Sequence, residues 1–119
     1  MVNDFKDLLV WQKSIVLVED VYKLVKLLPK EETYALSDQM RRSAVSIPSN
    51  IAEGFDRNSI KEYIHFLYIS MASASELETQ IIISNKIGYI LEIKNILDEL
   101  IQIKKMLRGL IKSLKSKIK

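Results

Sequence analysis

Apolar residues recur at intervals of three and four along four segments of the sequence, and this spacing is that of one face of an α-helix. The first segment carries two such rows side by side, and Pro29 ends it. One row contains Trp11, Ile15, Val18, Tyr22 and Val25, and the other contains Leu17, Val21, Leu24 and Leu28. No segment sustains the alternation of apolar and polar residues that is typical of a half-buried strand. The pattern therefore predicts an all-α fold.

The second helix is predicted to contain a proline in its middle. It runs from near Thr33 to about Phe55, with Gly54 suiting its end. Proline has no backbone N–H, and the ring of Pro48 crowds the carbonyl group four residues earlier. We therefore expect a kink in the second helix at this position.

Polar side chains surround Pro48. We expect Ser46, Ser49 and Asn50 to offer side-chain hydrogen bonds near the disturbed turn. An alternative function for this stretch is a binding pocket formed by Asn50 and Glu53, although the spacing of these residues names no ligand.

The third helix has a capping sequence at its start. It opens at RNSIKE, where Asn58 or Ser59 can cap the helix and Glu62 can complete a capping box. The pattern continues to about Lys86, and Gly88 stops it. The centre of this helix, SMASASE, is a row of small side chains that would let a neighbouring helix approach closely.

The fourth helix is predicted from about Leu91 to the C-terminus. Its apolar stripe contains Ile96, Leu100, Ile103, Leu107, Leu110 and Leu114. Short connections make consecutive helices antiparallel neighbours. Because the chain has 119 residues, of which 48% are apolar, we expect one domain over residues 1–119. The predicted fold is an antiparallel up-down-up-down four-helix bundle with a kinked second helix.

Residues that usually perform catalysis or bind metal are scarce. Glu62 and His65 have the spacing of a di-iron bundle ligand pair, but such a site needs this pair twice and His65 is the single histidine. There is no cysteine, no serine nucleophile motif and no phosphate-binding glycine loop. We therefore expect no enzyme activity, no metal site and no cofactor.

Three glutamates form a possible carboxylate cluster. Glu76 and Glu78 are two residues apart on one helix and diverge by about 200° around its axis, so they cannot converge on one ligand. We expect instead that Glu53 and one of these two glutamates pair with Arg41 or Arg42, or satisfy backbone groups freed at the proline.

The positive charge of the chain lies late in the sequence. The net charge is +3, and no acidic residue follows Glu99. At about 100° per residue, Lys104, Arg108, Lys112 and Lys115 form a ridge along one side of the last helix. A basic surface attracts polyanions, although lysines on a bundle commonly serve only solubility. The candidate nucleic-acid-binding residues are Lys104, Lys105, Arg108, Lys112 and Lys115.

The sequence contains no signal for a membrane. No run approaches the ~20 apolar residues that span a bilayer, and the segment MVNDFKD lacks the basic and apolar pattern of a signal peptide. The basic residues are too scattered around the last helix to favour a membrane surface. We therefore expect a cytoplasmic protein without a membrane partner.

Long stretches of the chain resemble a known family. The stretches DLLVWQKSIVLVEDVYKL, QMRRSAVSIPSNIAEGFDRNSIKEYIHFLYISMASASELETQ and NKIGYI are similar to the 23S rRNA intervening-sequence proteins, also called the S23 family. The most specific part is RRSAVSIPSNIAEG followed by SASELETQ. The motif positions in these two stretches are Arg41, Arg42, Pro48, Asn50, Glu53, Gly54, Glu76 and Glu78.

The resemblance implies a small bacterial cytosolic four-helix bundle that assembles as a homopentamer. Related proteins are accessory proteins of diversity-generating retroelements, in which a basic pentamer engages a reverse transcriptase and nucleic acid. For most members of the family the molecular function is unknown.

Two functions of different classes follow. The first is a nucleic-acid-associated assembly, in which several copies of a weakly basic face bind RNA or DNA phosphates. The second is a scaffold or accessory subunit that docks a protein partner such as a reverse transcriptase.

Overall fold

The computed structural model describes residues 2–118, and this part of the chain contains helices and no strand. The four helices are α1 (Leu9–Leu24), α2 (Leu36–Phe55), α3 (Ile60–Lys86) and α4 (Lys94–Lys115), and short 3-10 turns precede or follow α1 and precede α2. The molecule measures 49 × 23 × 21 Å, as expected for helices packed side by side. The predicted all-α four-helix bundle is confirmed.

The predicted ends of α3 are confirmed in detail. At its start, the backbone N–H of Glu62 donates to the Ser59 hydroxyl at 3.1 Å, and that hydroxyl donates to the Glu62 carboxylate at 3.2 Å. At its end, Gly88 has a φ of 90°, a left-handed conformation that favours glycine. The backbone N–H of Tyr89 then returns to the carbonyl of Ser84 at 2.9 Å, which closes the helix.

The predicted starts of α2 and α4 lie three residues too early. Residues Lys30–Glu32 form a 3-10 turn, so α2 begins at Leu36 and not near Thr33. Before α4, the amide of Asn85 donates to the carbonyls of Ile90 at 2.9 Å and Leu91 at 3.3 Å. These bonds hold the connection in a loop, because the two carbonyls are tied to the end of α3.

The two apolar rows of α1 have different surroundings. Leu17 and Val21 are fully buried in a core to which all four helices contribute. Trp11 and Val18 are only partly buried. They belong to an apolar groove between α1 and α2, which is lined by Phe5, Trp11, Ile15, Val18, Val45, Pro48, Ser49 and Ala52.

Small residues bring α2 and α3 close together. The hydroxyls of Ser46 and Ser73 lie 2.8 Å apart, and the Ser70 hydroxyl donates to the Ile47 carbonyl at 2.9 Å. Ser84, near the end of α3, contacts the sulfur of Met40, near the start of α2. Residues later in α3 therefore contact residues earlier in α2, so these two helices run in opposite directions. The up-down order of all four helices stays a prediction.

The buried Pro48 lies within α2, which is continuous from Leu36 to Phe55. The side-chain amide of Asn50 donates to the Ser46 carbonyl at 2.8 Å and to the Ser46 hydroxyl at 2.9 Å. The hydrogen bonds predicted for these two residues are confirmed, whereas Ser49 is exposed along the apolar groove. Pro48 does not break the helix, and the kink stays a prediction.

Gly54 has a packing role that was not predicted. It lies inside the last turn of α2, where a Cβ atom would be 2.7 Å from the Cβ of Phe66 and 3.1 Å from the carbonyl oxygen of Tyr63. No side chain fits in this space without moving α3. The glycine is therefore required by the close approach of the two helices and not by helix termination.

Replacing Gly54 by alanine is expected to lower the free energy of unfolding by about 1–3 kcal/mol, because the added methyl group overpacks the contact with Phe66. The matched control is Gly109→Ala in α4, where a Cβ atom meets nothing within 4 Å. That change is expected to raise the free energy of unfolding by about 0.5–1 kcal/mol, because alanine loses less backbone entropy on folding. Urea denaturation followed by circular dichroism measures both, and equal effects would contradict the packing role of Gly54.

Candidate nucleic-acid interface

A groove between α3 and α4 gathers most of the predicted basic residues. We call it the basic groove, and it is lined by Tyr68, Met71, Arg108, Ile111, Lys112 and Lys115. Its volume is about 470 Å³. None of the six lining residues is acidic, so three cations face a surface that is otherwise apolar or aromatic.

The amphipathic pattern of α4 positions the cations. Leu107, Ile111 and Leu114 are buried in the core, which fixes the rotation of the helix. Arg108 and Lys112 are four residues apart and therefore lie on one side of α4, at the edge of that buried face. Both are exposed to solvent. The basic groove is thus a direct consequence of burying the apolar stripe.

Helix α3 supplies the aromatic side of the basic groove. Tyr68 and Met71 are three residues apart and share a face of α3. The Tyr68 side chain is 47% exposed. The ammonium nitrogen of Lys115 lies 5.3 Å from the centre of the Tyr68 ring, which is a cation–π contact between the two helices.

The structure separates the predicted basic residues into two groups. Arg108, Lys112 and Lys115 come together in the basic groove, and their role in binding stays a prediction. Lys104 does not join them, because its ammonium group forms an ion pair with Glu78 at 2.9 Å. The two side chains are only 16% and 31% exposed, so this charge is already neutralised by a neighbour. Lys105 is exposed but lies outside the lining of the groove.

The predicted pairing of the motif arginines with the glutamates is wrong. Arg42 pairs with Asp38 at 2.8 Å, and Glu53 pairs with Arg57 at 2.6 Å. The two residues of each pair are four apart in the sequence, on α2 or at its end, so each arginine pairs with a carboxylate one turn away. Arg41 donates to the carbonyl of Thr33 at 3.1 Å.

The two remaining glutamates and the alternative pocket also differ from expectation. Glu78 faces α4, where it meets Lys104, and Glu76 is exposed. Asn50 is hydrogen-bonded to Ser46 within α2, and Glu53 is paired with an arginine. Asn50 and Glu53 are therefore each held by neighbours in sequence, and no ligand pocket between them is found among the grooves described.

Within residues 2–118, no group of three or more histidine, aspartate or glutamate side chains is close enough to hold a metal ion. His65 packs edge to face against Phe66, with ring centres 5.6 Å apart. Over the same residues, no helix is both long enough and apolar enough to cross a bilayer.

Tyr68 and Met71 were not among the predicted site residues. Tyr68 and Lys115 are far apart in the sequence, and only the register of α3 against α4 brings them together. The one available signal was the three-residue spacing of Tyr68 and Met71 on the predicted third helix, but that spacing is equally typical of a core face.

A second cluster that sequence reasoning missed lies between α1 and α4. Burial, followed by a hydrogen bond with Asp20 and the charge of Asp20, raises the pKa of Glu99 to about 7, while Lys13 opposes this shift. Lys13 and Glu99 also line a small cavity with Val16. The carboxyl groups of Asp20 on α1 and Glu99 on α4 therefore lie close together between the two helices.

The stability of the protein is expected to fall as the pH rises from about 5 to about 7. The folded-state pKa of Glu99 is raised above its ordinary value of 4.5, so the folded state binds this proton more tightly than the unfolded state. The resulting stabilisation is fully present below pH 4.5 and is lost as the pH rises through about 7.

Glu99→Gln is therefore expected to remove part of this pH dependence and to exceed the stability of the wild type above pH 7. The matched control is Glu92→Gln, which changes an exposed carboxylate before α4. Urea denaturation at several pH values measures the effect. A pH profile left unchanged by Glu99→Gln would show that Glu99 does not titrate in this range.

The comparisons with known proteins agree with the geometry. The family model for the 23S rRNA-intervening sequence protein matches residues 6–109. A crystal structure of a protein with unknown function from the S23 ribosomal protein family of Bacteroides thetaiotaomicron is similar, with 29% identity and a TM-score of 0.80. The match covers 87% of this chain and 99% of that one. No curated protein matches the sequence. The chain therefore belongs to the 23S rRNA-intervening sequence protein family.

Proposed function

We propose that this protein is a non-enzymatic, oligomeric bundle protein that binds the phosphates of RNA or DNA through the basic groove. The single observation that supports this most is the convergence of Arg108, Lys112 and Lys115 on one groove without an acidic lining residue. The chain also has no acidic residue after Glu99, so α4 itself carries no carboxylate within two turns of these cations.

The proposed binding is weak for one chain and stronger for an assembly. Each phosphate that a cation neutralises releases condensed counterions, so affinity depends steeply on salt. Three cations alone give a modest effect, and lysines on many surface helices serve only solubility. Several linked copies raise the overall affinity without any new contact, because the second and later contacts are intramolecular.

The proposed assembly is a homopentamer, as the family resemblance implies, in the cytoplasm. Its support is the apolar groove between α1 and α2, where Trp11, Ile15 and Val18 remain incompletely buried in the single chain. Val45 is also exposed beside them. Contact with a second copy would remove this apolar surface from water, which is favourable.

A second candidate function is supported by the same apolar groove. A protein partner such as a reverse transcriptase would cover it as well as another copy does, and the cations of the basic groove would then help to orient that partner. In this case nucleic acid contacts would be incidental.

The oligomeric state is expected to be greater than one at micromolar concentration, with a mass near five chains. Val45→Glu places a charge in the apolar groove and is expected to reduce the mass measured by light scattering. The matched control is Ile101→Glu, at an exposed position outside the apolar groove. A monomeric wild type would contradict the assembly, and an unchanged Val45→Glu oligomer would contradict the role of the apolar groove.

The double variant R108E/K112E is expected to weaken RNA binding by at least tenfold at low salt, because it reverses two of the three cations in the basic groove. The matched control is K23E/K26E, which makes the same change in net charge at exposed positions on and just after α1. Electrophoretic mobility shifts across a salt series measure both. Helicity and oligomeric size should be unchanged in both variants.

Two results would contradict the proposed function. The first is equal binding by the wild type and R108E/K112E. The second is the absence of binding by the wild type at low salt. Either result would leave the scaffold as the better account.

A further inference from the structure

We propose that the basic groove takes a single strand of nucleic acid, with one base stacked on Tyr68 and the adjoining phosphates held by Arg108 and Lys112. This inference rests on the proposed function and deepens it, since it assigns the form of nucleic acid and the residue that contacts a base.

The first support is the position of Tyr68. A tyrosine that only filled the core would be buried, whereas this side chain is 47% exposed at the groove. Met71 and Ile111 line the same groove, so the ring stands beside an apolar surface. A nucleobase fits such a surface, because its apolar face can pack against the ring while its polar edges remain in contact with water. Stacking on an aromatic ring is how proteins commonly hold unpaired bases.

The second support is the arrangement of cations around the ring. Arg108 and Lys115 are seven residues apart on α4, or about 10 Å along the helix axis. This span corresponds to the phosphates of a few successive nucleotides of one strand. Lys115 lies over the Tyr68 ring at 5.3 Å, and its long exposed side chain can move to a phosphate when a base occupies the ring face.

The size and shape of the site favour a single strand over a duplex. The basic groove has a volume of about 470 Å³, which leaves room for one nucleotide inside it, whereas a double helix could only lie across the outside of the groove. In a duplex the bases are paired and stacked on one another, so none is free to stack on Tyr68. A duplex can still contact Arg108 and Lys112 through its phosphates, but it gains nothing from the aromatic ring.

Binding of labelled oligonucleotides, measured by fluorescence anisotropy, tests the inference. The probes are a mixed-sequence RNA strand, the DNA strand of the same sequence and the RNA duplex. Tyr68→Leu is expected to weaken binding of both single strands by roughly fivefold to a hundredfold and to leave duplex binding unchanged. Tyr68→Phe keeps the ring and is expected to bind as the wild type does.

A matched control is Tyr34→Leu, which removes a tyrosine that is 95% exposed and lies before α2, away from the basic groove. It should leave all three affinities unchanged. Circular dichroism and light scattering establish that each variant folds and assembles as the wild type does.

The failures of the inference and of the proposed function are distinguishable. If Tyr68→Leu binds single strands as well as the wild type does, while R108E/K112E binds them weakly, base stacking is overturned and phosphate binding stands. Equal weakening of single strands and duplex by Tyr68→Leu also overturns stacking. If only one of the RNA and DNA single strands binds, the inference is also overturned, because the proposed contacts to a base and to phosphates are available in both. If R108E/K112E binds as the wild type does, the proposed function fails as well.

Discussion

The close approach of α2 and α3 is the constraint on which the remaining structure depends. Gly54 leaves no room for a side chain beneath Phe66, and Ser70 donates to a carbonyl of the neighbouring helix. These contacts fix the rotation of α3 about its axis. Tyr68 is two residues before Ser70 and therefore points about 200° away from it, toward α4. The packing of α2 against α3 thus determines that Tyr68 is the aromatic side chain exposed between α3 and α4.

The elements that were predictable from the sequence are those determined by neighbouring residues. The Ser59 cap, the left-handed Gly88 and the continuous pattern of α3 all follow from local chemistry. The late start of α4 was not predictable, because it depends on hydrogen bonds from Asn85 to a loop. Gly54 was misinterpreted for a related reason, since a glycine near a helix end is typical of termination unless another helix is known to lie above it.

The candidate site divides in the same way. Arg108, Lys112 and Lys115 were predicted together because they share one side of a single helix. Lys104 was assigned to the same ridge, but Glu78 on α3 neutralises it. Its partner depends on the register between two helices, which the sequence does not encode in any local pattern. Tyr68 was missed for the same reason, because the α3 side of the basic groove depends on the packing of α3 against α4.

The central claim is that nucleic acid occupies the groove between α3 and α4. Ultraviolet crosslinking of a bound RNA strand, followed by mass spectrometry of the peptides, tests it most directly because it maps the contact without changing any residue. We expect crosslinks in two segments, Tyr68–Met71 on α3 and Arg108–Lys115 on α4. Crosslinks confined to the α1–α2 side of the bundle, near Arg41 and Arg42, would contradict the account.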